Sequence, residues 1–204
     1  MKVFLMNKLL MIITCLFALS ACDAPELETL PKDAVILAFG DSLTSGVGTT
    51  KDKSYPAILS ELSGLKVVNA GVAGETTAQG LKRLGKVLDQ SNPDVVILIE
   101  GGNDILRNLS VGAAKNNLRN MIMLIKQRNS AVVLIGVPNK SLFSNSHSMY
   151  KELASELELV FDGHIIADLL RSASLKSDMV HFNEKGYRKM AEFIHALLQE
   201  KGAL

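Results

Sequence analysis

A chain of 204 residues with 48% hydrophobic content is long enough for one domain with a substantial core. Charge nearly cancels, with 22 Lys+Arg against 21 Asp+Glu, and no long basic block interrupts it, which argues against a nucleic-acid partner. Aromatic residues make up 5% and Trp is absent, so there is little material for a platform that stacks sugars or bases.

The elements begin with a segment set apart from the rest. Lys2 and Lys8 flank a basic start, and Leu9–Ala21 is apolar but shorter than the roughly 20 residues a membrane span needs. A basic start, a short apolar stretch and small residues after it describe a secretory signal. It ends Leu19-Ser20-Ala21-Cys22, which resembles the bacterial lipobox, where cleavage precedes the Cys and its thiol carries a diacylglycerol. Residues 1–21 are therefore expected to be a lipoprotein signal peptide and Cys22 a lipidation site. Cys15 leaves with the signal, so no thiol remains for a disulfide or a metal site. Residues 22–33 are polar, carry Pro25 and Pro31, and read as a tether. Asp23 resembles an inner-membrane retention residue. The expected location is the bacterial cell envelope, on the periplasmic or exterior side.

Residues 34–204 then alternate between short apolar runs and amphipathic stretches. Ala34–Phe39, Leu65–Val68, Asp94–Ile99 and Ala131–Val137 read as strands, rich in Val and Ile and bounded by turn residues. Helices are expected over Pro56–Leu62, Thr76–Gln90 (capped by Thr76 or Thr77), Ser110–Arg128 and Met149–Leu157. The apolar stretches at Leu159 and Ile165 compete for a fifth strand. A last helix starts after Asn183 and carries Tyr187, Met190, Ile194 and Leu197 on one face. Strand–helix alternation implies an α/β fold, a parallel sheet of about five strands in a three-layer α/β/α sandwich.

Ligands in such folds bind beyond the carboxyl ends of the strands. Three segments expected there are small or polar: Gly40-Asp41-Ser42, Asn69–Gly74 and Glu100–Asp104. A phosphate loop does not fit, because its second glycine would fall at Ser45 and no Lys follows in place. A dinucleotide fingerprint fails at Lys51. A nucleophilic serine needs a base, usually a histidine oriented by a carboxylate. Of the four histidines, His195 falls inside the last helix, His164 borders an apolar segment and reads as structural, and His147 lies in a polar loop where a solvated side chain is expected. His181 stands three residues after Asp178, a loop spacing that lets the carboxylate reach one ring nitrogen and leaves the other facing outward.

Four separated blocks resemble those of the SGNH-hydrolase superfamily, also called GDSL esterases and lipases: GDSL at Gly40–Leu43, NAGVAGET at Asn69–Thr76, GGND at Gly101–Asp104 and DMVH at Asp178–His181. The resemblance spans about residues 34 to 199 and is strongest to the periplasmic thioesterase, lysophospholipase and arylesterase branch. It implies a flavodoxin-like sheet. It implies Ser42 as nucleophile, His181 as base and Asp178 as its orienting carboxylate. The oxyanion donors it implies are the Ser42 and Gly71 N–H groups and the Asn103 amide. Asp41 and Asp104 are expected to brace loops. Phe182 departs from the family, which often has Pro after the histidine.

The expected reaction is hydrolysis of carboxylic esters or thioesters through an acyl-enzyme, without metal or cofactor. A small, lipophilic ester such as a lysophospholipid or aryl ester is the expected substrate, with Pro138–Phe143, Leu142 and Phe143 included, either lining an acyl pocket or packing down on the rim. A carbohydrate O-acetylesterase is the rival within the fold, and a non-catalytic binding lipoprotein the rival outside it. A reaction that uses a histidine as base loses rate as pH falls through about 6.5.

Overall fold

The computed structural model describes residues 25–140 and 145–204. The signal segment, Cys15, Cys22, Asp23, Leu142 and Phe143 lie outside the described residues.

Strands β1 (Val35–Gly40), β2 (Lys66–Gly71), β3 (Val95–Ile99), β4 (Ala131–Ile135) and β5 (Val160–Asp162) form one sheet in the order β2-β1-β3-β4-β5, all parallel. Every residue of β3 is buried, and so is all of β1 after Val35. Unbroken Val/Ile/Leu runs are what a sheet covered on both faces requires. β2 is an edge and is only partly buried, which fits its more polar sequence KVVNAG.

Helices α1 (Ser42–Ser45), α2 (Tyr55–Ser63), α3 (Thr77–Ser91), α4 (Gly102–Leu106), α5 (Val111–Lys126), α6 (Ser148–Leu157), α7 (Ile165–Arg171) and α8 (Glu184–Glu200) complete the sandwich. α2, α7 and α8 pack together on one face, and α3, α5 and α6 on the other. Ser110 caps α5 by accepting from the Ala113 N–H at 3.3 Å, and Asn183 caps α8 by accepting from the Gly186 N–H at 3.1 Å. At α3 the side chain of Gln79 reaches back to the Thr76 N–H at 3.0 Å.

One open alternative is decided and one expectation is corrected. The contest for the fifth strand goes to Val160–Asp162, and Ile165 instead opens α7. Asp162 decides it: its Oδ1 accepts from the His164 and Ile165 N–H groups at 3.0 and 2.8 Å, starting a helix where a strand would need extended backbone. Second, residues 22–33 are not tether throughout. The Leu27 N–H donates to Lys201 O at 2.8 Å and the Leu30 N–H to Ala203 O at 2.9 Å, while both leucines pack on the core. The apolar side chains in LETL find the open end of α8, so the domain begins near Leu27.

The strand order reverses direction between β1 and β3, since β2 lies on one side of β1 and β3 on the other. Chains leaving these two strands diverge and open a crevice at the carboxyl edge.

Candidate active site

β1 ends at Gly40, and Asp41 begins the turn into α1. The Asp41 carboxylate accepts from the Leu43 N–H at 3.1 Å, which folds the chain sharply and places Ser42 first in the helix. The first N–H groups of a helix have no partner within it, so the Ser42 N–H is an open donor beside its own hydroxyl.

The partner of that hydroxyl comes from the far end of the chain. His181 Nε2 lies 3.0 Å from Ser42 Oγ, and His181 Nδ1 lies 2.7 Å from Asp178 Oδ2. The Asp178 carboxylate also accepts from the Val180 and His181 N–H groups at 2.8 and 2.9 Å. Burial works to raise the Asp178 carboxyl, but these three hydrogen bonds outweigh it and hold the group below the usual carboxylate range. An ionised Asp178 fixes Nδ1 as the protonated nitrogen and leaves the Nε2 lone pair facing Ser42, an arrangement able to take the serine proton.

The loop carrying this pair is stiff without proline. Phe182 is fully buried and meets Tyr187 edge to face with ring centroids 5.5 Å apart. Tyr187 in turn donates to Val47 O at 2.7 Å, tying α8 to the segment after α1. Packing supplies the rigidity that Pro would have given.

Asn103 stands in the first turn of α4. Its Nδ2 donates to Glu75 O at 2.9 Å and, over a longer 3.3 Å, to Asp41 Oδ2. Asp104 accepts from the Thr77 N–H at 2.8 Å and from Thr77 Oγ1 at 2.7 Å, so it joins α4 to the start of α3. Both aspartates brace loops. Burial pushes the Asp41 carboxyl up to about 6, against the opposing pull of the Leu43 N–H.

Gly71 requires correction. β2 runs three residues beyond the expected Val68, so Gly71 is its last residue rather than part of the rim loop. Its N–H donates to Asn69 Oδ1 at 2.9 Å, and a Cβ there would sit 2.1 Å from Ser45 N. Gly71 is a packing glycine under α1, its donor already spent, and it does not line the cavity. The glycine at the rim is Gly74, which lines the cavity and has φ +78°, a conformation other L-residues rarely adopt. The repeated glycines of NAGVAG offer two candidates, and only the strand boundary separates them.

Two histidine expectations also change. His164 is exposed at the head of α7 rather than built into the core. His147 is only half-exposed and caps α6, its Nδ1 accepting from the Met149 N–H at 3.2 Å.

Ser42, His181 and Asn103 open into a cavity of about 280 Å³. Leu43, Ile105, Val137, Ile166, Ala167 and Leu170 give it an apolar wall, and Pro138, Asn139 and Lys140 also line it. α7 was not expected as a helix, and so its part in the wall was missed.

These features define a hydrolase with a serine–histidine pair at the carboxyl edge of a parallel sheet. Residues 38–189 match the GDSL-like Lipase/Acylhydrolase family, and the chain belongs to it. An arylesterase of Vibrio mimicus is 31% identical over 173 residues, covering 78% of this chain and 85% of that one. The thioesterase 1/protease 1/lysophospholipase L1 of Escherichia coli K12 is 27% identical over 172 residues, covering 80% and 83%. The crystal structure of AlinE4, an SGNH-hydrolase family esterase, superposes with a TM-score of 0.65 at 30% identity, covering 84% of this chain and 98% of that one. The psychrotrophic esterase EstA of a Pseudoalteromonas species shares the fold at a TM-score of 0.74 and 22% identity, covering 82% and 98%.

Proposed function

We propose that the protein is a serine esterase that hydrolyses lipophilic carboxylic esters or thioesters through an acyl-enzyme. The observation that carries this is the unbroken chain Ser42 Oγ–His181 Nε2 at 3.0 Å and His181 Nδ1–Asp178 Oδ2 at 2.7 Å, opening on an apolar cavity. Ser42 Oγ attacks the acyl carbonyl as its proton passes to Nε2. The carbon–oxygen or carbon–sulfur bond to the leaving group then breaks, and the leaving group takes that proton. Water attacks the acyl-serine next, giving its proton to Nε2, and the acid departs as the proton returns to Ser42. Asp178 orients the ring throughout and stabilises the imidazolium.

The developing oxyanion needs donors. The Ser42 N–H and the Gly74 N–H have no protein acceptor among the described residues, and Asn103 contributes the amide hydrogen that Asp41 holds only at 3.3 Å. Of the donors implied by the family resemblance, Ser42 and Asn103 stand in this reading and Gly74 takes the place of Gly71.

The apolar wall favours an acyl chain longer than acetyl, which sets this reading ahead of a carbohydrate O-acetylesterase. The complete pair and its donors set it ahead of a non-catalytic binding role. Ser42→Ala is expected to abolish hydrolysis of p-nitrophenyl butyrate with an unchanged circular dichroism spectrum; full activity in the purified variant overturns the assignment. A panel of p-nitrophenyl esters from acetate to palmitate, lysophosphatidylcholine and acetylated xylan identifies the acyl group. Preference for the xylan would favour the O-acetylesterase.

The envelope location belongs to the same proposal. It is supported by the signal-like start and Leu19–Cys22. Cys22→Ala is expected to move the protein from the membrane to the soluble fraction.

A further inference from the structure

Beneath the candidate site lies a set of charged side chains that the reaction above does not use. Glu100 directly follows β3 and is fully buried. One of its oxygens, Oε2, accepts from the Gly101 N–H at 3.1 Å. The other, Oε1, meets no N–H or hydroxyl donor among the described residues. Facing it is the Glu75 carboxylate. A Cβ added to Gly80 would lie 3.3 Å from Glu100 Oε1 and 3.4 Å from Glu75 Oε2, so the missing side chain of Gly80 makes room for both carboxyls.

Glu75 has its own partner. Arg83 Nε donates to both Glu75 oxygens at 2.7 and 2.9 Å, and Arg83 Nη2 donates to Oε2 at 2.5 Å. Nη2 also reaches Ala70 O at 2.8 Å and Gly40 O at 3.3 Å, and the guanidinium lies 4.0 Å over the Phe39 ring. Arg83 thus fastens Glu75 to the ends of β1 and β2. The Glu75 backbone carbonyl is the acceptor that holds the Asn103 amide. One oxygen of a fully buried carboxyl without a donor is costly as a carboxylate; as an acid O–H it becomes a donor to the carboxylate opposite.

We propose that Glu100 is a positioning residue that stays protonated, donating its acid O–H to Glu75 and so holding the Glu75–Arg83 pair, the loop bearing Gly74 and the Asn103 amide in the geometry the oxyanion needs. Electrostatics point the same way. Burial raises the Glu100 carboxyl well above the usual carboxyl range, and the Asp41 charge and the hydrogen bond and charge of Glu75 add to it. The groups facing it are Asp41 after β1, Glu75 before α3, Arg83 on α3 through Glu75, and Tyr150 on α6, whose hydroxyl donates to Glu100 O at 2.7 Å. Asp104 on α4 is buried as well.

The proposal rests on the ester-hydrolase reading for its kinetics and on the carboxyl pair alone for its protonation. Gln at position 100 supplies an N–H for Glu75 and an oxygen for the Gly101 N–H, whereas Met supplies neither. Glu100→Gln is expected to keep kcat on p-nitrophenyl butyrate within about 2-fold of the parent and to extend activity further into the alkaline range. Glu100→Met is expected to lower kcat by at least about 10-fold per active site, with KM nearly unchanged, the sites being counted by a phosphonate titrant so that a misfolded fraction does not enter. In infrared spectra, a buried carboxylic-acid carbonyl band should persist at neutral pH in the parent and vanish in Glu100→Gln. This last measurement needs no turnover, so it separates failure of this proposal from failure of the esterase reading. Loss of kcat in Glu100→Gln, unchanged kcat per site in Glu100→Met, or absence of the band each overturns it.

Discussion

Asn103 and the two glycines of NAGVAG share a rim in sequence but have different work in space. Asn103 offers an amide hydrogen held only loosely by Asp41 at 3.3 Å. Asn103→Ala is therefore expected to lower kcat/KM on p-nitrophenyl butyrate by about 100–1,000-fold while the protein melts near the parent temperature. Gly71→Ala drives a methyl group to within 2.1 Å of Ser45 N, so its expected signature is a lower melting temperature and poor soluble yield. At Gly74 the Arg107 guanidinium is, among the described residues beyond its chain neighbours, the one group within 4 Å of an added Cβ. Gly74→Ala should cost about 1–2 kcal/mol of backbone strain and show its larger effect in kcat. A larger thermal than kinetic effect at Gly74, measured by calorimetry and steady-state rates, would return the oxyanion role to question. Ser42, Asp178, His181 and Asn103 were legible because each lies in a short block whose chemistry is local. Glu75, Arg83 and Glu100 carry no such signal: they meet only because the loop after β2, the helix α3 and the residue after β3 gather at the carboxyl edge around β1. The protonation of Glu100 has a thermal signature too. Free in an unfolded chain, Glu100 ionises near 4.5, while the native state keeps its proton to much higher pH. The native state then binds the extra proton, and stability falls as pH rises above about 4.5. Glu100→Gln removes that slope. Its melting temperature should exceed the parent's by more at pH 8 than at pH 5, read by differential scanning calorimetry.

Strands β1, β3 and β4 were plain in the sequence because a doubly covered parallel strand is an uninterrupted apolar run, and few other elements of that length are. Their ends were less plain. β2 continues through Asn69, Ala70 and Gly71 because the neighbouring β1 offers hydrogen bonds in register as far as Gly40↔Gly71, and pairing overrides the low strand preference of Asn and Gly. α1, α4 and α7 are too short to show a helical period, and each is started by a cap or turn instead: Asp41, the left-handed Gly101 at φ +104°, and Asp162. α7 bears on the proposed acyl preference. It presents Ile166, Ala167 and Leu170 to the cavity, and Ala167 is the smallest of the three. Ala167→Leu adds bulk to that wall. It is expected to reduce kcat/KM for octanoate and longer p-nitrophenyl esters by about 10-fold while leaving acetate and butyrate within about 2-fold, a few kcal/mol at most being at stake in a few methylenes. An equal loss for every chain length would mean that the acyl group lies elsewhere.

At the scale of the molecule, the docked N-terminal segment would fix which way the site faces if the proposed anchor is present. Leu27, Thr29 and Leu30 bind Lys201, Gly202 and Ala203, the end of α8, at the amino edge of the sheet. Ser42 and His181 lie at the carboxyl edge, where α8 begins. The six residues of β1 separate the two edges by about 20 Å at the usual strand rise. A lipid on Cys22, as proposed, would have only the stretch to Leu27 to work with, at most about 18 Å of extended chain. Such an anchor would set the amino edge against its bilayer and turn the cavity away from it. Lipidation would then restrain the enzyme at a membrane without directing it to that membrane's own lipids, and the substrate would arrive from solution or from an opposing surface. The lipidated protein in vesicles tests this directly. It should hydrolyse a soluble ester as fast as the Cys22→Ala variant does, and an ester carried by separate micelles faster than the same ester confined to its own vesicle. Faster turnover of the ester in its own vesicle would show that the tether lets the domain turn over onto the bilayer, and would require the contacts of Leu27 and Leu30 with the α8 terminus to open.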